Sequence, residues 1–346
     1  MKFVCYRQWR QLPPGIDDLF EQGARTSLFI SQHWLETLYF NAFDNQNLLL
    51  ASVVDEDRVL ALLPLIAHEN GHWQSLSHRY TSFYSPLLAT ECQTDVLACL
   101  AEGLSQLAFR SLRLEPIAED DSNTQQLIKA METAGFEHKR HFRFYNWILR
   151  TGGQPFDAYM QGRPTRLRNT IARKQRKLER DHGYEIKMFR GNEVKKALSD
   201  YHSAYSASWK AYEQYGELFD ALATKLSVPD WTRLAVLYAA QKPAAAQLWF
   251  VVHGKASIFR LAYDEDWKQY SPGSILTAYL MRYVIDTDEV EEIDFLNGNE
   301  AYKQDWMTER RERFGVVFFK PAEAKSGLNK ILAKLKSWTK KPAGWR

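Results

Sequence analysis

Two short segments concentrate side chains and backbone donors suited to a phosphate-bearing ligand. The first is Tyr270-Ser271-Pro272-Gly273-Ser274. A serine hydroxyl can accept from a free amide in the first turn of a helix, and proline suits the first helical position, where no amide hydrogen is required. Ile275, Leu276, Tyr279, Leu280, Tyr283 and Val284 then mark one apolar helix face. A helix start of this kind leaves backbone N–H groups free and favours an anion, with pyrophosphate the usual occupant. Gly273 would let a ligand approach the backbone closely. Taken alone, the same residues describe a well-capped helix and nothing more.

The second segment runs from Asp294-Phe295-Leu296-Asn297-Gly298 to Tyr302-Lys303-Gln304-Asp305-Trp306. It reads as a strand end, a glycine-containing loop and a short helix. Ligands of open α/β sheets collect beyond the carboxyl ends of strands. Lys303 is then placed to meet a phosphate and Tyr302 to donate a proton. Asp294 is placed to act as base or to orient an amine. His253 follows them as a candidate base, but it sits in a turn and reads as plain surface. The bland alternative for this segment is a turn, an exposed lysine and a core tryptophan.

Hairpins, loops and helices must position these groups. Residues 28–41 have helical apolar spacing. Leu48 to Val54, Val59 to Ala67 and Trp73 to Leu76 read as strands separated by Asp55-Glu56-Asp57 and Glu69-Asn70-Gly71. Helices are expected over 93–109 and 123–134, the latter stopping at Gly135. A strand is expected over 111–116 and another over 142–149. Thr151-Gly152-Gly153-Gln154-Pro155 is the best linker candidate. A basic helix follows over 164–180, then a strand over 184–189 and several helices over 192–241. Strands are expected at 246–252 and 257–263 around His253-Gly254-Lys255, then at 292–296 and 314–320. Tyr84-Ser85-Pro86 precedes Tyr270-Ser271-Pro272 by 186 residues, and similar elements follow each triplet. The order implies an internal duplication. The first copy lacks the glycine, and Glu91 and Asp95 place negative charge near its expected helix start. The first half therefore reads as a structural or acceptor-side domain. The boundaries expected are 1–150, 151–324 and a tail, 325–346.

Composition sets outer limits. The chain has 346 residues, 45% hydrophobic and 25% charged, enough for two packed cores. Its three cysteines, Cys5, Cys92 and Cys99, are scattered, which argues against a zinc site or a disulfide framework. No metal is expected. Neither a signal-like start nor a membrane-length apolar run is present, so a cytoplasmic location is the default. Eight Lys/Arg between Arg163 and Arg180, against one Glu, suggest a polyanion partner along Arg166–Arg180. The bland reading is a solvated helix packing through Leu167, Ile171 and Leu178. The tail from Lys325 to Arg346 holds seven basic residues and no acid. Its Leu328, Ile331, Leu332, Leu335 and Trp338 fall at helical spacing, which suits either docking on the body or peripheral contact with an anionic membrane.

The two site segments, in this order and behind this basic helix, resemble the GNAT-fold acyltransferases of the CelD-like group, relatives of the Fem-type aminoacyl transferases. The motifs that carry the resemblance are Tyr270-Ser271-Pro272-Gly273, Asp294-Phe295-Leu296-x-Gly298 and Tyr302-Lys303-x-x-Trp306. It covers about residues 160–320 and reaches the first half only through the duplication. It implies an α/β (α+β) fold of two tandem GNAT-like domains, each a mixed, mostly antiparallel sheet flanked by helices. It implies acyl transfer from a thioester, acyl-CoA, to an amine or hydroxyl acceptor such as an envelope precursor. Tyr270, Ser271, Gly273, Ser274, Ile275 and Lys303 would bind the cofactor, and Asp294 and Tyr302 would serve catalysis. Trp209, Arg260 and Asn297 are placed on the substrate. The turn departs from the usual Gln/Arg-x-x-Gly-x-Gly/Ala signature, with only Gly273 present. Fem-type members use aminoacyl-tRNA and carry a helical arm, for which this sequence has no heptads. A non-catalytic GNAT-like binding protein is the third reading.

Overall fold

A computed structural model describes residues 1–43, 46–89, 93–210 and 214–321. The chain divides into two compact units, Met1–Phe144 with the residues from Glu312 on, and Tyr145–Arg311. The first contains β1 (Lys2–Tyr6), α1 (Ile16–Thr26), α2 (Gln32–Ala42), β2 (Leu48–Asp55), β3 (Arg58–Ile66), β4 (His72–Ser75), β5 (Leu87–Leu88), α3 (Gln93–Ser105), β6 (Ser111–Ala118) and α4 (Ser122–Thr133). β7 (Glu137–Arg150) carries the chain from the first unit into the second. There follow α5 (Phe156–Gln161), α6 (Thr165–His182), β8 (Tyr184–Phe189), α7 (Glu193–Ser206), α8 (Gly216–Lys225), β9 (Thr232–Ala239), β10 (Lys242–Val252) and β11 (Lys255–Tyr263). A 3-10 turn, Glu265–Tyr270, leads to α9 (Pro272–Asp286), β12 (Glu292–Asn297), α10 (Ala301–Trp306) and β13 (Glu309–Phe319).

In the first unit the strand order is β1-β2-β3-β4-β6-β13, with β5 on β3. In the second it is β7-β12-β11-β10-β9-β8. Both sheets are antiparallel except at one place each. β4 runs parallel to β6 over His72↔Ser111 to Gln74↔Arg113, and β11 parallel to β12 over Lys255↔Glu292 to Ser257↔Asp294. The same three-residue parallel register in both units is the duplication expected from the sequence. A hairpin and a helical crossover bring it about each time. In the second unit, His253 (φ 44°) and Gly254 (φ 74°) close the β10–β11 hairpin between the paired Val252 and Lys255. Positive φ at both central residues is the turn whose twist matches paired strands.

Trp249, Leu276, Leu280, Val284 and Ile293 are fully buried between α9 and the second sheet, and Leu178 of α6 joins them. α6 thus packs its few apolar positions inward and leaves its cations outside, as a strongly amphipathic helix must.

Several expectations need correction. Thr232–Ala239 lies within a region read as helical and is strand β9. An apolar run this short has no period that separates a buried strand from a helix. The 151–155 linker lies inside the second unit, where Thr151 is buried and donates its N–H to the Glu291 carbonyl (2.9 Å) and its hydroxyl to that of Val290 (2.6 Å). The change of unit falls within β7, ahead of the expected 150/151 boundary. β13, read as the end of the second half, pairs with β6 of the first over Arg313↔Ala118 to Phe318↔Leu112. Tyr84-Ser85-Pro86 opens no helix. It leads into β5, and α3 begins only at Gln93. Glu91 and the 325–346 tail lie outside the described residues.

Candidate active site

The site is a gap between two strands of the second unit. After Ser257↔Asp294, no further β11–β12 pair forms, although β11 continues to Tyr263 and β12 to Asn297. β11 is also bulged, because Leu248 faces Arg260 while Trp249 faces Ile258, which leaves Phe259 as the extra residue. Beyond the bulge, Leu261 faces Gln247 and Tyr263 faces Ala245. The Asp264 N–H donates to the Ala244 carbonyl at 3.0 Å. Hydrogen-bonded and non-bonded pairs alternate along an antiparallel ladder. The backbone groups of Leu261 and Tyr263 therefore point away from β10, into the gap. That gives a row of N–H and C=O groups on the central strand that β12 does not pair.

α9 opens over the end of this row. Ser271 sits in the left-handed region (φ 52°, ψ 50°), and its carbonyl accepts from the amides of Ser274 (3.0 Å) and Ile275 (3.2 Å). Pro272 holds the first helical position as expected, but the Ser271 hydroxyl makes no capping bond. The cap is made by backbone. Gly273 serves packing. A Cβ there would stand 3.3 Å from Tyr263 and 3.4 Å from Leu261, so the missing side chain lets α9 lie against β11. Buried Gln247 reinforces this contact from below. Its amide donates to the Gly273 carbonyl (2.9 Å) and the Thr277 hydroxyl (2.8 Å), and its oxygen accepts from the Trp249 indole (2.9 Å). Ser274 is partly exposed on the first turn and Ile275 is buried. Tyr270 is a packing residue. Its ring lies against Trp267 and His182, and its hydroxyl bonds the His182 ring (2.9 Å) and Asp181 (3.3 Å).

The residues after β12 divide in role. Lys303 is only 4% exposed, and its ammonium donates to the carbonyls of Phe295 (2.9 Å) and Asn297 (2.6 Å) and pairs with Glu300 (3.2 Å). Burial lowers its pKa, and the Glu300 and Asp294 charges offset this only in part. All three of its protons are used, so it ties α10 to the strand end and has none for a phosphate. Cations do approach the α9 start, but from α6. Lys174 donates to the Gln269 carbonyl, and Lys177 donates to the Gln269 side chain at 3.0 Å.

Asp294 is similarly committed. One oxygen accepts from the Leu296 N–H (2.6 Å) and the Asn146 amide (2.5 Å), and the other faces Arg311 (3.4 Å). These bonds hold a bulge in which Leu296, buried and non-glycine, takes φ 52°. With its lone pairs facing donors, the carboxylate is committed to shaping the strand end. Tyr302 is different. Its ring is 52% exposed near Phe295, and desolvation, then the Glu300 carboxylate, pushes its hydroxyl up to about 12. It keeps its proton through the neutral range and can donate it.

The substrate candidates separate likewise. Trp209, 46% exposed, packs against Tyr263 with the rings tilted by 43° and their centroids 4.5 Å apart, at the mouth of the gap. Arg260 belongs to the bulge, with its guanidinium 5.3 Å from the Phe259 ring. Asn297 is exposed at the end of β12 and lends its carbonyl to Lys303. His253 is the turn residue described above. Reading from residue types missed Gln247, Lys174 and Lys177 as supports of the α9 start. It also missed Lys210, whose ammonium donates to the Leu261 carbonyl. Two aromatic residues beside that lysine, Tyr205 and Trp209, were the available signal.

The equivalent gap in the first unit is closed by its own chain. Ser75 Oγ bonds both the carbonyl (2.9 Å) and the N–H (3.1 Å) of Glu115 across β4 and β6. Tyr84, 1% exposed, donates its N–H to the Pro116 carbonyl (2.6 Å) and its hydroxyl to that of Pro64 (2.6 Å). Beside it, Glu115 is held by His141 (2.9 Å), Arg113 (3.4 Å) and Arg143 (3.4 Å). Burial pushes the Glu115 carboxyl up, but these three partners outweigh it and hold it below the usual range. Gly315 leaves the room, since a Cβ there would meet His141 at 2.4 Å.

Among the described residues no cluster of His, Cys, Asp and Glu is suited to a metal, and no helix is long and apolar enough to cross a membrane. No curated protein matches the chain at a significant level. A family profile for the acetyltransferase (GNAT) domain matches residues 165–304. Among solved structures, FemX shares 11% identity with a TM-score of 0.64, covering 97% of this chain and 99% of its own. L-PGS from Bacillus licheniformis shares 12% with a TM-score of 0.55, covering 90% and 93%. The C-terminal domain of a putative lysylphosphatidylglycerol synthetase from Agrobacterium fabrum shares 14% with a TM-score of 0.53, covering 83% and 88%. At these identities the likeness concerns the fold, and the gap beside α9 lies within the profile's span. The chain thus has a GNAT-like fold, shared with FemX, L-PGS and the synthetase domain, and its acetyltransferase-domain match lies in the second unit.

Proposed function

We propose that the second unit transfers an acyl group from acyl-CoA to an amine or hydroxyl acceptor. The observation that carries this reading is the row of Leu261 and Tyr263 backbone groups, left without a partner strand beneath the first turn of α9. The donor's pantetheine amides would pair with that row. Its pyrophosphate would meet the α9 start, where the helix dipole and the Lys174 and Lys177 charges favour an anion. The thioester would then lie near the bulge at Phe259, with backbone donors polarising its carbonyl. Tyr302 would protonate the leaving thiolate. Trp209, Arg260 and Asn297 would line the acceptor side. An envelope precursor suits the acceptor role, and the first unit serves as scaffold or acceptor-side support.

Ser274→Asp tests this reading. Acid in the first turn of a helix suits its dipole, so the variant should keep its Tm, yet it places a negative charge where the pyrophosphate would sit. Calorimetry should show wild-type binding of acetyl-CoA weakened about tenfold or more in the variant. Equal affinity would overturn the phosphate placement, and no binding to the wild type would overturn the acyl-CoA reading.

A second reading, aminoacyl-tRNA as donor, is favoured by one feature. Arg166, Asn169, Thr170, Ala172, Arg173 and Arg176 line a shallow groove along the outer face of α6. Such a stripe suits a phosphodiester backbone. Retention of tRNA that falls steeply with salt, and with Arg173→Gln and Arg176→Gln together, would select it.

A further inference from the structure

The Lys210 side chain crosses to the open edge of β11. Its ammonium donates to the Leu261 carbonyl, one of the backbone groups that faces the gap. It also lies 5.9 Å from the centre of the Tyr205 ring and 5.6 Å from that of Trp209. Trp209 in turn packs at a tilt against Tyr263, the next outward-facing residue of the strand. A carbonyl acceptor and two π-faces are what a primary ammonium selects. The chain's own lysine thus occupies an ammonium site on the row of backbone groups assigned above to the donor.

We infer that Lys210 is a self-acylation site, and that the pocket it fills recognises a primary amine. The inference rests on the acyl-CoA reading, because it needs a thioester beside β11. In the reaction the Lys210 ammonium loses a proton to solvent, and the freed lone pair attacks the thioester carbonyl carbon. The N–C bond forms and the C–S bond breaks. The thiolate leaves with the electron pair and takes a proton from Tyr302, which regains one from solvent. The second nitrogen proton goes to solvent, so one proton is released overall. An amine held at the reacting carbon has a large advantage over one in solution. Once acylated, the nitrogen is uncharged and loses its attraction to the two rings. Tyr205 and Trp209 are then left for the amine of an external acceptor.

The experiment incubates the full chain with acetyl-CoA at neutral pH and follows each lysine by peptide mass spectrometry. Acetyl-CoA binding is measured calorimetrically on the same preparation. Lys210 should gain one acetyl group at least about tenfold faster than Lys187 or Lys255, which serve as internal controls for spontaneous modification. Lys210→Arg should bind acetyl-CoA and remain unmodified. Trp209→Ala should slow the acetylation without removing acetyl-CoA binding. Binding with Lys210 modified no faster than the control lysines would overturn the inference and leave the acyl-CoA reading standing. Absence of binding would overturn both.

Discussion

Tyr302 and Lys303 are neighbours in sequence and opposite in role. One projects a half-exposed ring, and the other buries its ammonium among carbonyls. Helical geometry separates them, since consecutive residues point about 100° apart. Tyr302 is the one of the two that the proposed mechanism uses as proton donor to the leaving group. Its proton-donating form is lost as pH rises through about 12, so its ionisation adds no alkaline limb near 10, where an ordinary tyrosine would. Tyr302→Phe is expected to lower kcat by about 10²-fold with KM for acetyl-CoA little changed. Steady-state kinetics with unaltered kcat would remove Tyr302 from the mechanism.

At the scale of elements, the gap exists because β12 bends away from β11. Asp294, Asn146 and Arg311 fix the bend from one side, and Lys303 fixes the turn that follows. Lys303→Met keeps the volume but leaves the Phe295 and Asn297 carbonyls unsatisfied. Urea denaturation should show a loss of about 2–4 kcal/mol. The pH dependence has a sign. Burial lowers the native pKa of Lys303, so the native state releases this proton while the unfolded chain still holds it. Wild-type stability therefore rises with pH from the lowered value towards the ordinary lysine value, and the variant should lack that rise. An equal rise in both proteins would show that Lys303 is not its source.

For the whole molecule, the two units have the same parallel pair and opposite fates for the space beside it. In the first, Ser75 and Tyr84 fill it. In the second, outward backbone groups and Lys210 line it. β13 completes the first unit's sheet, where Val316, Phe318 and Phe319 are buried. A fragment ending at residue 144 should therefore fail to fold cooperatively, because β6 would lose its β13 partner and present an open apolar edge. Circular dichroism on heating should show no sharp transition. A sharp one would mean that β13 is dispensable there.

By itself the sequence determined the element types around the site, the duplication, the Pro272 helix start and the family resemblance. These follow from periodicity, turn residues and local spacing, which act over a few positions. The tertiary structure decided which of the polar residues remain available. Lys303 and Asp294 look like reagents in a string of letters, yet each is spent on groups that the fold brings to it. Gly273 looks like a ligand seat and is a packing contact with Leu261 and Tyr263. The gap itself has no sequence signal, because it consists of backbone hydrogen bonds that two strands do not make. Lys210 reaches that gap only because the end of α7 comes back over β11. Whether a donor or acceptor group is satisfied depends on partners distant along the chain, and burial with those partners sets its chemistry.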